Sequence, residues 1–462
     1  MPEFDLPTGL YWQGKRTEVE RISLPFQTIE TINESRATRE KDKNSLFKDL
    51  NKIETPVWYN RLIWGDNKYV MSSLLDEFAG KIDLIYIDPP FFTGTDQTIV
   101  IEVGENIPIT KEQSILEEFA YRNIWRDGES SYFQWLYDRL VLMYDLLSTK
   151  GIIFIRHDQY WGHYVKIIAD EIFGKKNFQN EIIVKRIYKN VTRQGKISIP
   201  LATDSIFVYF KTDNAHYYDI YKQLPQMRES YWRALDDSSG IRNPPQRVIF
   251  GKTYYPPAGK HFKFSQEKID ILVKEGRIRI NPETGRPQYL VEEADKIVLN
   301  SNWTDISGYA FTTGYPTENS ESLLERVIKA GSNEGDLVAD FFCGSGTTGA
   351  VAEKLGRKWI MCDIGRFAIH TTRKRLLEID GCKPFVIQNL GKYERQYWQG
   401  VTFTNKNDEQ KPVYEYIKFI LELYHAEPVT GCLYIHGKKG KSLVHVGAVD
   451  APVTLYDIEK AI

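Results

Sequence analysis

An α/β fold is what this sequence predicts. Three features point to it: short apolar runs that end on acidic residues, helical apolar spacing between those runs, and glycine turns joining the two. The runs are Leu62-Ile63-Trp64, Leu84 to Ile87, Ile152 to Ile155, Leu337-Val338-Ala339 and Trp359 to Cys362. Two of them close on the motifs that carry the chemistry, Asp88-Pro89-Pro90-Phe91 and Asp340-Phe341-Phe342-Cys343-Gly344-Ser345-Gly346. Consecutive prolines cannot continue a strand ladder, so Asp88 is left at a strand's carboxyl edge, where open α/β sheets bind ligands.

Element by element, residues 1–56 read as an N-terminal extension, polar and charged but with Tyr11, Trp12, Phe26 and Phe47 able to pack on the adjoining domain. Residues 57–181 read as a first α/β half. Leu62-Ile63-Trp64 is a strand ending at Gly65-Asp66-Asn67, and Val70, Leu74 and Leu75 recur at helical spacing after it. Trp135, Leu136, Leu140, Met143 and Leu147 predict an amphipathic helix, which Gly151 releases into the strand Ile152 to Ile155.

From 182 to 309 the texture changes to broken strand-like pieces such as Ile206 to Phe210, interrupted by glycine, proline, aromatics and the dispersed Arg228, Arg233, Arg242 and Arg247. That texture suits an inserted domain. Regularity returns over 310–382: Leu323, Leu324, Val327 and Ile328 form a helical face, Leu337 to Ala339 a strand, Thr347 to Leu355 a helix, and Trp359 to Cys362 a strand closed by Asp363. Residues 383–462 read as a small α/β region. There Tyr414, Ile417 and Leu421 predict a helix, and Cys432 to Ile435 with Leu443 to Val446 a hairpin turning at Gly437 to Gly440.

With 60 Lys and Arg against 62 Asp and Glu, the formal charge of −2 gives no global polyanion-binding signature, though a local basic face is enough for one. Lys185, Arg186, Lys189, Arg193 and Lys196 lie in a stretch without Asp or Glu, which reads either as a phosphate-contacting segment or as solvated surface. Cys343, Cys362, Cys382 and Cys432 lack metal-ligand spacing, so neither a metal nor a disulfide is expected. No signal segment and no apolar run near about 18 residues is present, so the expectation is a soluble cytoplasmic protein with no membrane partner.

Gly344 and Gly346 remove side chains where the backbone bends from strand to helix. A dinucleotide site remains the general alternative, since Gly344, Gly346 and Gly349 keep the Gly-x-Gly-x-x-Gly spacing, whereas a phosphate loop would need a Lys-Ser or Lys-Thr pair, which is missing.

Taken together, these motifs resemble the amino-methylating DNA methyltransferases of the beta class, in which the Asp-Pro-Pro-aromatic motif precedes the Phe-x-Gly-x-Gly motif, and most closely the modification subunits of type III restriction-modification systems. The similarity covers Trp64 to Asn67, Leu84 to Gly94, Trp135 to Phe178, Trp303 to Ile306, Tyr315-Pro316-Thr317 and Asp336 to Asp363. It implies a Rossmann-like S-adenosylmethionine-dependent methyltransferase fold, with 57–181 as catalytic half, 182–309 as inserted target-recognition region and 310–382 as cofactor half.

The resemblance also implies roles. Asp88, Pro89, Pro90 and Phe91 would be catalytic, with Phe91 stacking on a flipped base. Asp340, Phe342, Gly344, Gly346 and Thr317 would line S-adenosyl-L-methionine. Asp363 would accept hydrogen bonds from its ribose, or else cap its strand. Asp66, Phe92 and Asp158 fall on the substrate side, with Lys185, Arg186, Lys189 and Arg193 on DNA. Glu318 and Asn319 depart from the Thr-Gln-Lys-Pro pattern usual after Thr317, and Phe92 replaces a common asparagine. An acidic first motif residue favours adenine N6 over cytosine N4. A methyltransferase-like DNA-binding protein without turnover is the non-enzymatic alternative. Double-stranded DNA is the implied partner, and a homodimer and a restriction subunit are partners the resemblance admits.

Overall fold

The computed structural model describes residues 9–42, 58–90, 99–103, 107–111, 128–186, 202–315, 317–391, 417, 421, 426–429 and 434–446. Two compact units emerge, one from 1–218 with 301–462 and the other Asp219–Asn300.

The first unit is built on a mixed sheet. Its strands are β1 (Gln27–Ile32), β2 (Asn60–Trp64), β3 (Ile82–Ile87), β4 (Leu147–His157), β5 (Phe178–Lys185), β6 (Thr203–Phe210), β7 (Asn302–Ser307), β8 (Leu337–Asp340), β9 (Lys358–Asp363) and β10 (Phe385–Asn389). They lie in the order β1-β10-β2-β9-β8-β3-β4-β6-β5-β7. From β10 to β4 every neighbour is parallel. Strands buried on both faces must be apolar almost throughout, which is why Ile82 to Ile87 and Leu337 to Ala339 read so clearly. β1 closes one side antiparallel to β10, and β6 runs antiparallel to both β4 and β5.

Helices α1 (Asn67–Phe78), α2 (Glu129–Leu146) and α3 (Gly162–Ala169) contribute Val70, Leu74, Leu136, Leu140, Met143, Val165 and Ile168 to one core with Ile85, Ile87 and Ile153. Helix α4 (Glu321–Gly331) comes close to the sheet: a Cβ on Gly331 would stand 2.7 Å from a Leu84 methyl and 3.0 Å from the Phe154 ring. Helices α5 (Thr347–Lys354) and α6 (Arg366–Leu377) follow β8 and β9. The N-terminal stretch joins this unit where it is described. Trp12 packs against Phe133 and Tyr137, Phe26 packs on the core, and β1 is a sheet strand. Phe47 lies outside the described residues.

Three details differ from the sequence reading. The compact second unit is narrower than 182–309, because β5, β6 and β7 pair into the main sheet. Gly151 does not release a helix; α2 ends at Leu146 and Gly151 lies inside β4. Its missing side chain answers a close approach, since a Cβ there would stand 2.9 Å from the Ser148 carbonyl and 3.0 Å from that of Ile82. In the C-terminal region the strands are Gly437–Lys439 and Ser442–Val444, so Gly437 is a strand residue and the turn falls at Gly440-Lys441. Tyr414, Cys432 and Leu433 lie outside the described residues.

The second unit has its own core of Leu235, Ile249, Phe262, Ile269, Leu272, Ile278 and Tyr289. These come from the helix Gln266–Lys274, short antiparallel strands and, for Leu235 and Phe262, the residues just after such strands.

Gly151→Ala tests the close approach in β4. Two of the atoms it would meet are backbone carbonyls, which cannot rotate away, so we expect a loss of about 1–3 kcal/mol in denaturant unfolding.

Candidate active site

Five acidic residues sit at or just beyond the carboxyl ends of adjacent parallel strands: Asp363 on β9, Asp66 after β2, Asp340 on β8, Asp88 after β3 and Asp158 after β4. Strand order therefore assembles what the sequence spreads over about 300 residues.

Asp88 is held from two sides. Asn319 Nδ2 donates to its Oδ2 at 3.1 Å, and the buried Arg156 guanidinium lies 3.6 Å from the same oxygen. Arg156 in turn pairs with the buried Asp204 at 2.7 Å, donates to the Gly308 carbonyl at 3.1 Å and to Asn319 Oδ1 at 2.5 Å, and stacks 4.0 Å over the Tyr309 ring. Tyr86 donates to Asn319 Oδ1 at 3.2 Å. Burial raises the Asp88 carboxyl above its ordinary range, the Arg156 charge pulls it back, and Asp204 pushes it up again. Arg156 was not among the residues expected here. Its one signal was an arginine following four apolar residues in a predicted interior strand.

In the loop after β8, Asp340 accepts from the Phe342 amide at 2.9 Å and from the Thr348 hydroxyl at 2.5 Å. Its burial pushes its pKa up to about 7 against those two hydrogen bonds. Gly344 and Gly346 have φ of +51° and +74°, a left-handed backbone that favours glycine. A Cβ on Gly344 would stand 3.3 Å from the Tyr315 ring, and one on Gly346 would collide with Thr372. The Gly344 amide donates to Asp363 Oδ2 at 2.9 Å, and the Gly365 amide to Oδ1 at 2.7 Å. Tyr315 stacks on Phe367 beside this loop at 5.7 Å between centroids.

Glu318 and Asn319, which break the expected motif, both have work in the structure. The buried Glu318 accepts from Thr312 and Thr313 and pairs with Arg375, which reaches the Ser345 carbonyl and Thr347. These contacts tie the glycine loop to Thr312, Thr313 and Glu318. Thr317 is exposed beside them.

Asp66 caps α1 through the Lys68 amide at 2.8 Å and pairs with the buried Arg139 at 2.7 Å. Asp158 accepts from the Tyr160 and Trp161 amides and contacts the buried His157, whose Nε2 meets the Tyr132 hydroxyl at 2.7 Å. Despite burial, those contacts leave Asp158 below the ordinary carboxylate range. Arg186 pairs with Asp204 at 3.2 Å, and the Lys185 carbonyl accepts from the Gly308 amide. Phe91, Phe92, Lys189, Arg193 and Lys196 lie outside the described residues.

Residues 82–374 match the family described as DNA methylase, the N6/N4 methyltransferases, and this chain belongs to that family. It is 31% identical over 368 residues to the type II methyltransferase M.EcaI of Enterobacter cloacae, covering 74% of this chain and 75% of that one. The probable HindVI Mod subunit of Haemophilus influenzae, a type III restriction-modification protein, is 25% identical over 77% of this chain, which spans 57% of its length. For the EcoPI Mod subunit of Escherichia phage P1 the figures are 31%, 76% and 61%.

As a family member the chain uses S-adenosyl-L-methionine as methyl donor. The loop fits that molecule. Asp340 and Asp363 offer carboxyl oxygens to a ligand carrying a sulfonium, an ammonium and a ribose diol, whereas a polyphosphate would meet acceptors in place of the donors it needs. No helix among the described residues is long and apolar enough to cross a membrane.

Asp340 makes stability depend on pH. Its folded pKa lies above the unfolded value, so the contribution of its protonated form is present below about pH 4 and lost as pH rises through about 7. Asp340→Asn removes this burden. Without cofactor, thermal melts should therefore show the variant gaining on the natural protein between pH 5 and pH 8, on the order of a few kcal/mol; a pH-independent difference would contradict the assignment.

Proposed function

We propose that this protein transfers the methyl group of S-adenosyl-L-methionine to the N6 amine of an adenine flipped out of duplex DNA. The observation that carries the reading is Asp88, a nearly buried carboxylate fixed at a strand end by Asn319 and Arg156 and followed by the Pro89 carbonyl. An exocyclic adenine amine is a poor nucleophile because its lone pair is delocalised into the ring. Asp88 and the Pro89 carbonyl accept its two hydrogens and draw the nitrogen toward tetrahedral geometry, directing the lone pair away from them. The cofactor supplies the electrophilic methyl, whose bond to sulfur breaks as the bond to nitrogen forms. The extra proton then leaves the nitrogen through Asp88 to solvent. Phe91 stacks on the extruded base.

Asp363 binds the ribose hydroxyls, Asp340 and the Phe342 to Gly346 loop hold the amino-acid end of the donor, and Thr317 borders it. Asp66, Phe92 and Asp158 shape the base pocket, and Lys185, Arg186, Lys189 and Arg193 track phosphates. The unit Asp219–Asn300, within the 182–309 stretch, reads the target sequence. Relatives that are Mod subunits support a restriction subunit as partner.

Labelled S-adenosylmethionine, mixed-sequence duplex DNA and nucleoside analysis test the chemistry, with N6-methyladenine expected. Label found only in N4-methylcytosine would replace the base assignment. Asp88→Ala should cut transfer by about 10²-fold or more while leaving donor affinity within about twofold. Asp363→Ala should instead weaken donor binding in calorimetry by about tenfold, as loss of charge-assisted hydrogen bonds requires.

A further inference from the structure

In the unit Asp219–Asn300 one hairpin has a tip that folding alone does not explain. Strands Arg247–Ile249 and Lys252–Tyr254 pair with Ile249 opposite Lys252, leaving Phe250-Gly251 as a two-residue turn. Both turn residues take the left-handed region, with φ of +51° and +75°. A tight hairpin of this kind asks for Asn, Asp or Gly, since a larger side chain crowds the following carbonyl. Among the described residues Phe250 is the non-glycine residue held at positive φ. Burial gives nothing back: Ile249 enters the unit's core at 1% exposure, whereas Phe250 is 58% exposed. A strained backbone carrying an exposed ring points to a contact outside the fold.

The surrounding charge identifies the contact. From Ser238 to Phe264 the sequence has Arg242, Arg247, Lys252, Lys260, His261 and Lys263 and no Asp or Glu. Arg247 is committed to the carbonyls of Pro244, Gln246 and Phe264, and Lys263 to the Tyr289 hydroxyl. Arg242, Lys252 and Lys260 are exposed, and the exposed Ile241, Val248 and Tyr255 are interleaved with them. Basic side chains interleaved with exposed apolar ones, the Phe250 and Tyr255 rings among them, suit a ligand with anionic edges and flat apolar faces, and stacked nucleobases on a phosphate backbone have both.

We propose that Ser238–Phe264 is a DNA-contact surface in which Arg242, Lys252 and Lys260 hold phosphates and the Phe250 ring stacks on, or wedges between, bases. The inference rests on the reading of this chain as a DNA-modifying enzyme. It assigns the ring a base-stacking task that membership in the family does not.

The decisive variant is Phe250→Asn in the full chain. Asn accepts positive φ readily, so its thermal midpoint should equal or exceed that of the natural protein while duplex affinity and methyl transfer fall about tenfold, the loss expected for one base–aromatic stack. Phe250→Tyr should keep both within about twofold. Replacing Arg242, Lys252 and Lys260 together by Gln should flatten the dependence of log affinity on log salt by about 2 to 3. If the natural protein methylates DNA and folded Phe250→Asn matches it in affinity and turnover, this inference falls and the function stands. If the natural protein neither binds nor methylates any duplex, both fall. A triple variant with an unchanged salt slope overturns the phosphate contacts.

Discussion

The arginine at position 156 ties the active site to the fold. Its guanidinium is buried in the sheet and joins Asp88 after β3, Asp204 on β6, the Gly308 carbonyl and Asn319. A charge removed from water costs several kcal/mol unless every donor finds a partner, and breaking such a pair leaves the other charge exposed to the same penalty. The strands and loops that bring those partners must therefore be in place before the buried Asp88 has its charge partner and its aim. Folding and preorganisation of the candidate catalytic carboxylate are one event here.

The same constraint explains a departure in the sequence. Asn319 stands where the resemblance leads one to expect a different residue, and its amide meets both Asp88 and Arg156 through opposite ends. Glu318 beside it pairs with Arg375 and so fixes the glycine loop. Adjacent residues thus serve the two halves of the candidate site, one facing the Asp88 carboxylate and the other the glycine loop.

Much of this was readable from the sequence because parallel strands buried on both faces leave an unbroken apolar record, and because Asp88 and Asp340 end such records. Pairing was not readable. β5 and β6 look like parts of an insertion until the ladders of β6 with β4 and of β5 with β6 are seen, since an antiparallel addition leaves no local mark of which sheet it joins. Gly151 signalled a helix end by its type, yet its cause is the approach of two carbonyls, one from the nearby Ser148 and one from the distant Ile82. Arg156 was hidden for a related reason: an arginine after an apolar run reads as the place where a strand meets solvent. Phe250 looked like one more aromatic until its backbone angle and exposure were known.

The claim that Arg156 sets the charge of Asp88 is tested most directly by the acid limb of the methyl-transfer pH profile. Facing Asp88 are Arg156 and His157 on β4, Asp204 on β6, Asp340 on β8, Tyr86 on its own strand, Tyr132 on α2 and Tyr309. In the proposed mechanism the ionised carboxylate is the form that accepts the amine hydrogens, and its pKa is already raised, so transfer should be lost as pH falls through that value. Arg156→Gln and the milder Asn319→Ala each remove an influence that lowers it. In variants verified as folded by circular dichroism, the acid limb of kcat/KM should move to higher pH, further for Arg156→Gln. Folded variants whose acid limb coincides with that of the natural protein would contradict the account.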